Sequence, residues 1–256
     1  NDGTIVGANR SYGKLGWGME FDGVDDYINV TDNSGLDITG AVTVEAWAKS
    51  NWNKADHQVL VGRTDDIGSN NGYVLIQTTG TDTMSFYIGD GTDWQAAVTS
   101  TSLKNNTWYH FVGVYDGANI QMYLNGKSDG TSTAQSPSSG HSSPLIIGAF
   151  EDGQERFLDG TIDEVRIWDK ALTADEISKR YSQGIGIGNI TTQNPLTVSV
   201  NESSDGDGDT LFTGVDWWRG TELNATTGKP DDSGVVLFMP FDENGVAEDY
   251  SGYDND

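Results

Sequence analysis

The amino-acid sequence predicts an all-β fold, and three observations predict it. Gly is abundant at 33 residues while Pro is rare at 5. Short runs of Val, Ile, Thr, Tyr, Phe and Trp are separated by Gly, Asn and Asp, the punctuation of strands and turns. Hydrophobicity alternates with period two in several runs, and stretches of helix-forming residues are scarce.

Taken in order, the run Val42-Thr43-Val44-Glu45-Ala46-Trp47-Ala48-Lys49 puts small apolar residues on one face and larger, mostly polar ones on the other. Residues 73–77, 84–88 and 108–115 alternate in the same way. Residues 119–124 continue the pattern up to Asn125-Gly126, and Asp116-Gly117 stands just before them, so 106–127 is expected to contain a hairpin. Later strands are expected at 145–147 and 161–168. One helix interrupts them: Thr173 as N-cap with Glu176 three residues on makes a capping box. Leu172 is placed to staple against Ile177, Lys179 and Arg180 suit the C-terminal end, and Gly184 can stop the helix.

After Tyr181 the texture changes. Gly184-Ile185-Gly186-Ile187-Gly188 reads as a linker, and 189–233 as a small β-insert with strand-like runs at 196–200 and 211–218. About 45 residues make a poor independent core. The most apolar strand of the chain comes last, at 235–242.

Charge and composition remove several function classes. With 14 basic against 39 acidic residues the formal net charge is −25, which repels nucleic acid and anionic membranes. No apolar run approaches the ~18 residues of a membrane span. Cysteine is absent, which excludes thiol catalysis and thiolate metal sites. Solvation of the surface accounts for most of the acidity, leaving local clusters to be weighed singly.

Several motifs together resemble the laminin-G-like, concanavalin A-like jelly-roll modules of microbial surface proteins. They are Leu15-Gly16-Trp17-Gly18-Met19-Glu20-Phe21-Asp22-Gly23-Val24-Asp25-Asp26-Tyr27-Ile28-Asn29-Val30 and Thr43-Val44-Glu45-Ala46-Trp47, then Trp108-Tyr109-His110-Phe111-Val112-Gly113-Val114-Tyr115-Asp116-Gly117 and Tyr123-Leu124-Asn125-Gly126. The last is Phe157-Leu158-Asp159-Gly160-Thr161-Ile162-Asp163-Glu164-Val165-Arg166-Ile167-Trp168 with its helix. The resemblance implies two packed antiparallel sheets over residues 1–188, but a sandwich lacking its first strand. The missing strand and its loop match 234–256 instead, so that segment is expected to complete either the next copy's sandwich or its own. Leu237, Phe238, Met239 and Phe241 are then interface residues, and donation to a neighbour would link copies head to tail.

The resemblance also implies a structural Ca²⁺ where Asp249 and Asn255 meet Asp163, with Asp2 as a weaker ligand. Asp163 stands between apolar neighbours, so it needs either a metal or backbone N–H donors. Asp205, Asp207 and Asp209 alternate with Gly as calcium loops do, but the EF-hand pattern fails, and an acidic turn accounts for them as well. Asp25-Asp26 reads as a β-turn.

Catalytic chemistry has little to work with. The three His are far apart, His110 fits a hydrogen-bonded core position, and no strand carries a paired-carboxylate glycosidase motif. No enzyme activity is therefore expected. Sugar binding is the rival to a structural role: Trp52 and Trp94 lie in polar segments and offer planes for a glycan, although Trp is also ordinary core material. Sequons stand at Asn9, Asn29, Asn105, Asn189, Asn201 and Asn224, as suits an extracellular or cell-surface glycoprotein. The sequence reading is thus a non-enzymatic fibre repeat joined by strand donation and stiffened by calcium, with a calcium-dependent carbohydrate-binding adhesin as the alternative.

Overall fold

The computed structural model describes residues 2–52, 56–64, 70–133, 143–150, 155–184 and 235–239. The chain divides into two units, Asn1–Gly184 with Asp232–Asp256, and Ile185–Asp231, and every described residue belongs to the first. The insert, with Asp205, Asp207, Asp209 and the sequons at Asn189, Asn201 and Asn224, lies outside the described residues.

The alternating runs become strands of two antiparallel sheets. One has seven strands in the order β1 (Gly3–Val6), β4 (Tyr27–Val30), β13 (Leu145–Ile147), β6 (Gln58–Arg63), β7 (Asn71–Gln77), β8 (Met84–Asp90) and β9 (Trp94–Val98). The other runs β12 (Lys127–Thr133), β11 (Asn119–Leu124), β10 (Tyr109–Tyr115), β5 (Val42–Ser50), β14 (Asp159–Trp168), β3 (Trp17–Asp22) and β2 (Asn9–Tyr12), with β15 (Val235–Met239) added to β14. Between them Val42, Val44, Ala46 and Ala48 of β5 meet Tyr73, Leu75, Phe86 and Ile88 of the facing sheet in one apolar core. Burying each large side chain there stabilises the fold by about 1.5–3 kcal/mol. The sheets approach closely at Gly113, where a Cβ would lie 2.2 Å from Cγ of Phe86.

The expected hairpin forms, with Phe111 opposite Leu124 and Tyr115 opposite Ile120. Asn125 and Gly126 turn the chain into β12 with φ of 51° and 74°, the left-handed pair of a tight two-residue hairpin loop. Helix α1 (Ala174–Gly184) is capped as its sequence predicts: Thr173 N–H donates to Glu176 Oε2 at 2.6 Å, and Glu176 N–H donates to Thr173 Oγ1 at 3.3 Å. Leu172 and Ile177 share one apolar cluster with Val112, Val114 and Trp168.

That helix changes the second face of β5. Alternation predicts solvent beside Thr43, Glu45 and Trp47, yet all three are buried. Thr43 Oγ1 donates to the Lys170 carbonyl at 2.7 Å and accepts the Leu172 N–H at 3.0 Å, tying down the approach to α1. Tyr181 stacks on Trp47 at 5.6 Å.

β14 carries a bulge. Asp163 pairs with Trp47 and Arg166 with Glu45, so two residues, Glu164 and Val165, stand opposite Ala46 alone. Glu164 takes φ 55°. The extra residue resets the alternation, so that Ile162, Val165 and Ile167 all face the core. On its other edge β14 pairs first with β3, Ile162 opposite Met19, and beyond the bulge with β15, Val165 opposite Met239 and Ile167 opposite Leu237. Of the two partners the sequence left open for the last strand, the one seen is β14 of the same chain. Phe238 pairs with Arg166 through its backbone, while Phe241 lies outside the described residues.

Candidate functional site

The outer face of the seven-stranded sheet holds the candidate site. In β7, Tyr73 and Leu75 point into the core, so Val74 and Ile76 point out. In β8 the same alternation turns Tyr87 outward, opposite Val74. Trp94 opens β9 and meets Tyr87 edge to face, with ring centroids 6.3 Å apart and planes at 86°. Phe150 closes the other side and is buried against Val59, Val74 and Ile76.

These residues, with His57 and Arg156, line a pocket of about 180 Å³. Drug-sized ligand sites span ~300–1,000 Å³, so this one has room for a single ring or side chain. Among the described residues its lining is mostly hydrocarbon and aromatic, with His57 and Arg156 as the ionisable groups apart from the Tyr87 phenol. The His57 Nδ1 accepts the Thr79 N–H at 3.1 Å, which leaves Nε2 to carry the proton of the neutral ring. Burial, then the charge of Arg156, lowers the pKa of His57, so the imidazole is neutral at pH 7. The Arg156 guanidinium lies over the Phe150 ring at 4.6 Å.

The residues named from sequence fall in different places. Trp94 is half-buried at the pocket. Trp52 corrects the expectation of a sugar platform: it is fully buried in the core, edge-on to Phe111 at 5.6 Å, so its plane is closed to any ligand. His110 sits where a core histidine was expected, with Nε2 2.7 Å from Glu45 Oε1 and both side chains buried.

Asp163 has backbone N–H donors on one of its two oxygens. Its Oδ2 accepts the N–H groups of Lys14 and Leu15, each at 2.7 Å, and holds the β2–β3 turn against the bulge. Asp2 is exposed before β1, in the other sheet, while Asp249 and Asn255 lie outside the described residues. Of the expected set, the described residues thus bring one carboxylate to this point, fewer than the ~6–8 oxygens of a calcium site.

A carboxylate group that the sequence left as a turn comes together elsewhere. Ligand atoms of Asp22, Asp25 and Asp26 lie within 4.8 Å of one another. Asp26 is buried and accepts the Asp22 N–H at 2.9 Å. Burial, together with the charges of Asp22 and Asp25, raises its pKa despite that hydrogen bond. Among the sequons, Asn9 and Asn105 are exposed, and Asn29 is half-buried on β4 between β1 and β13.

Sequence reasoning missed Tyr87, Phe150, His57 and Arg156. Tyr87 was legible from the 84–88 alternation, which turns Tyr87 away from Phe86 and Ile88. Phe150, His57 and Arg156 sit in connections, where no periodicity marks them.

Comparison with known proteins gives consistent relatives. The family Laminin_G_3, described as the concanavalin A-like lectin/glucanases superfamily, matches residues 22–178. Human adhesion G-protein coupled receptor D1 is 27% identical over 121 residues, which cover 45% of this chain and 14% of the receptor. Domain 4 of AbnA, an extracellular arabinanase of Geobacillus stearothermophilus, solved with arabinotriose, superposes with TM-score 0.59 at 21% identity, covering 69% of this chain and 86% of that domain. The binding domain of botulinum neurotoxin DC in complex with SialylT gives TM-score 0.55 at 13% identity, covering 72% of this chain and 47% of that one. Among the described residues no helix is long and apolar enough to cross a membrane.

Proposed function

Since the chain belongs to the Laminin_G_3 family of the concanavalin A-like lectin/glucanases superfamily, we propose that it is a non-catalytic, extracellular or cell-surface adhesion module that binds a carbohydrate in the Trp94 pocket. The observation that carries this reading is the right-angled pair of Trp94 and Tyr87 beside a small open pocket with only a few polar groups. Aromatic faces take the C–H face of a sugar ring, and a few polar groups fix its orientation. The arabinotriose bound to the AbnA domain and the SialylT bound to the neurotoxin domain lend the fold precedent as a glycan binder. The adhesion receptor lends it precedent at a cell surface. Glycan-array binding that falls at least tenfold in Trp94→Ala, with the melting temperature kept, is the expected result. Unchanged binding in that variant would remove the pocket from the reading.

A structural repeat joined head to tail is the second reading, favoured by β15. It is an apolar strand held through its ladder to β14, and it follows a long connection after α1. Such a strand serves another copy as well as its own. Light scattering across a hundredfold concentration range separates the two, since a fibre repeat must grow in mass. The calcium expectation rests on residues 249–255 supplying the oxygens that Asp163 lacks.

A further inference from the structure

We propose that the sugar taken by the Trp94 pocket is an acidic one, whose carboxylate is held by the guanidinium of Arg156. This rests on the carbohydrate reading above and names the ligand class for it.

Three features of Arg156 carry the proposal. Its backbone is in the left-handed region with φ 57°, an uncommon conformation for a residue with a long side chain. The fold holds it there: Glu155 is bridged to Phe150, whose N–H donates to the Glu155 carbonyl at 2.9 Å, and the Val59 N–H donates to the Arg156 carbonyl at 3.1 Å. The side chain is therefore aimed by the turn rather than left to sample solvent, and it is only 16% exposed.

The second feature is its pairing. Nε of Arg156 lies 3.0 Å from Glu155 Oε1, and Glu155 is itself 49% exposed. The face of the guanidinium rests on Phe150. Among the described residues no acceptor is recorded for its two terminal nitrogens. Those nitrogens are not buried, so a ligand acceptor can take the place of water there. The planar fork of the guanidinium matches a carboxylate through two parallel hydrogen bonds.

The third feature is the charge of the lining. Acidic residues outnumber basic ones 39 to 14 in the chain, yet among the described residues the seven that line the pocket include no carboxylate, Glu155 being engaged with Arg156 Nε. An acidic ligand is repelled by the molecule at large and accepted at this point. Trp94 and Tyr87 would hold the ring while Arg156 reads its acid group.

Calorimetric titration with glucuronate-terminated and sialyl-terminated oligosaccharides, each beside its carboxyl-reduced counterpart, tests this. At least one acid should bind tenfold or more tightly than its reduced form. Arg156→Asn, which keeps a residue tolerant of the left-handed backbone, should remove that preference while leaving weak binding of the neutral sugar. Arg156→Lys should keep part of the preference, since it keeps the charge and loses the fork. Equal affinity for acid and reduced forms would overturn the acidic assignment and leave the sugar site standing. A preference that survives Arg156→Asn would overturn the role of Arg156. Failure of all four sugars to bind, with binding of neutral glycans also absent on the array, would overturn the carbohydrate reading and this inference with it.

Discussion

Oε1 of Glu45 lies 2.7 Å from Nε2 of His110, and α1 lies over the face of the sheet on which both are buried. Nη1 of Arg166 is 3.8 Å from the same oxygen. Burial pushes the Glu45 carboxyl up. The hydrogen bond and charge of His110, then the charges of Arg166 and Arg180, outweigh it and hold the carboxyl below its ordinary 4.5. A depressed carboxyl stabilises the fold fully above its unfolded value and loses that contribution as pH falls through the folded one. The melting temperature should therefore drop steeply below pH ~4.5. Glu45→Gln should flatten that limb and cost about 3–5 kcal/mol at pH 7, as breaking a buried pair does. Calorimetry from pH 3 to 8 checks both; an acid limb unchanged in the variant would assign it to other groups.

Asp26 has the opposite sign. Its raised pKa means that the folded state holds the proton more tightly than the unfolded chain, so its contribution is best in acid and is lost as pH rises. Asp26→Asn should keep an oxygen for the Asp22 N–H and gain stability relative to the parent as pH goes from 4 to 7. A parallel pH profile for the two proteins counts against this.

Arg63 is a buried cation at the end of β6. It donates to the Leu36 carbonyl at 2.8 Å and pairs with Asp32 and Asp37, each at 2.6 Å, fixing the segment between β4 and β5. Arg63→Met should cost about 3 kcal/mol by urea unfolding, since three acceptors lose their donor while both aspartates stay partly hydrated.

Gly126→Ala should cost about 1–2 kcal/mol. The residue is left-handed at φ 74°, and the added Cβ would stand 2.8 Å from Tyr181 Cβ, pushing at α1. Gly117, also left-handed at φ 96° but with nothing within 4 Å of its Cβ position, is the control for the steric part.

A chain ending at residue 234 leaves the 165–168 half of β14 without its β15 partner. It should melt lower and aggregate with concentration, as exposed sheet edges do. For calcium, excess chelator should lower the melting temperature of the full chain, and an unmoved transition would sink the ion.

Much of this was legible where one residue type has one physical use. Asn125-Gly126 and the Thr173–Glu176 box each specify local geometry by themselves and each is found, while the β5 run gives its strand and core face but not the burial of its second face under α1. β6 and β9 were not marked, because Gln58-Val59-Leu60-Val61 is apolar without alternation and Trp94 to Val98 is short and half-polar. Trp52 misled because its neighbours are polar while its own side chain turns into the core. Arg156 was invisible, since a left-handed backbone in a connection leaves no pattern in sequence.

The bulge at Glu164 has a consequence for how this strand tolerates length changes. Removing Glu164 would take out the extra residue and leave Ile162, Val165 and Ile167 in one unbroken alternation opposite Ala48, Ala46 and Val44, with all three still facing the core. A one-residue insertion between Arg166 and Ile167, by contrast, would turn Ile167 outward and Trp168 inward and act like a reading-frame error confined to a single strand, whereas the same insertion in the exposed turn at Asp116-Gly117 should change only a loop.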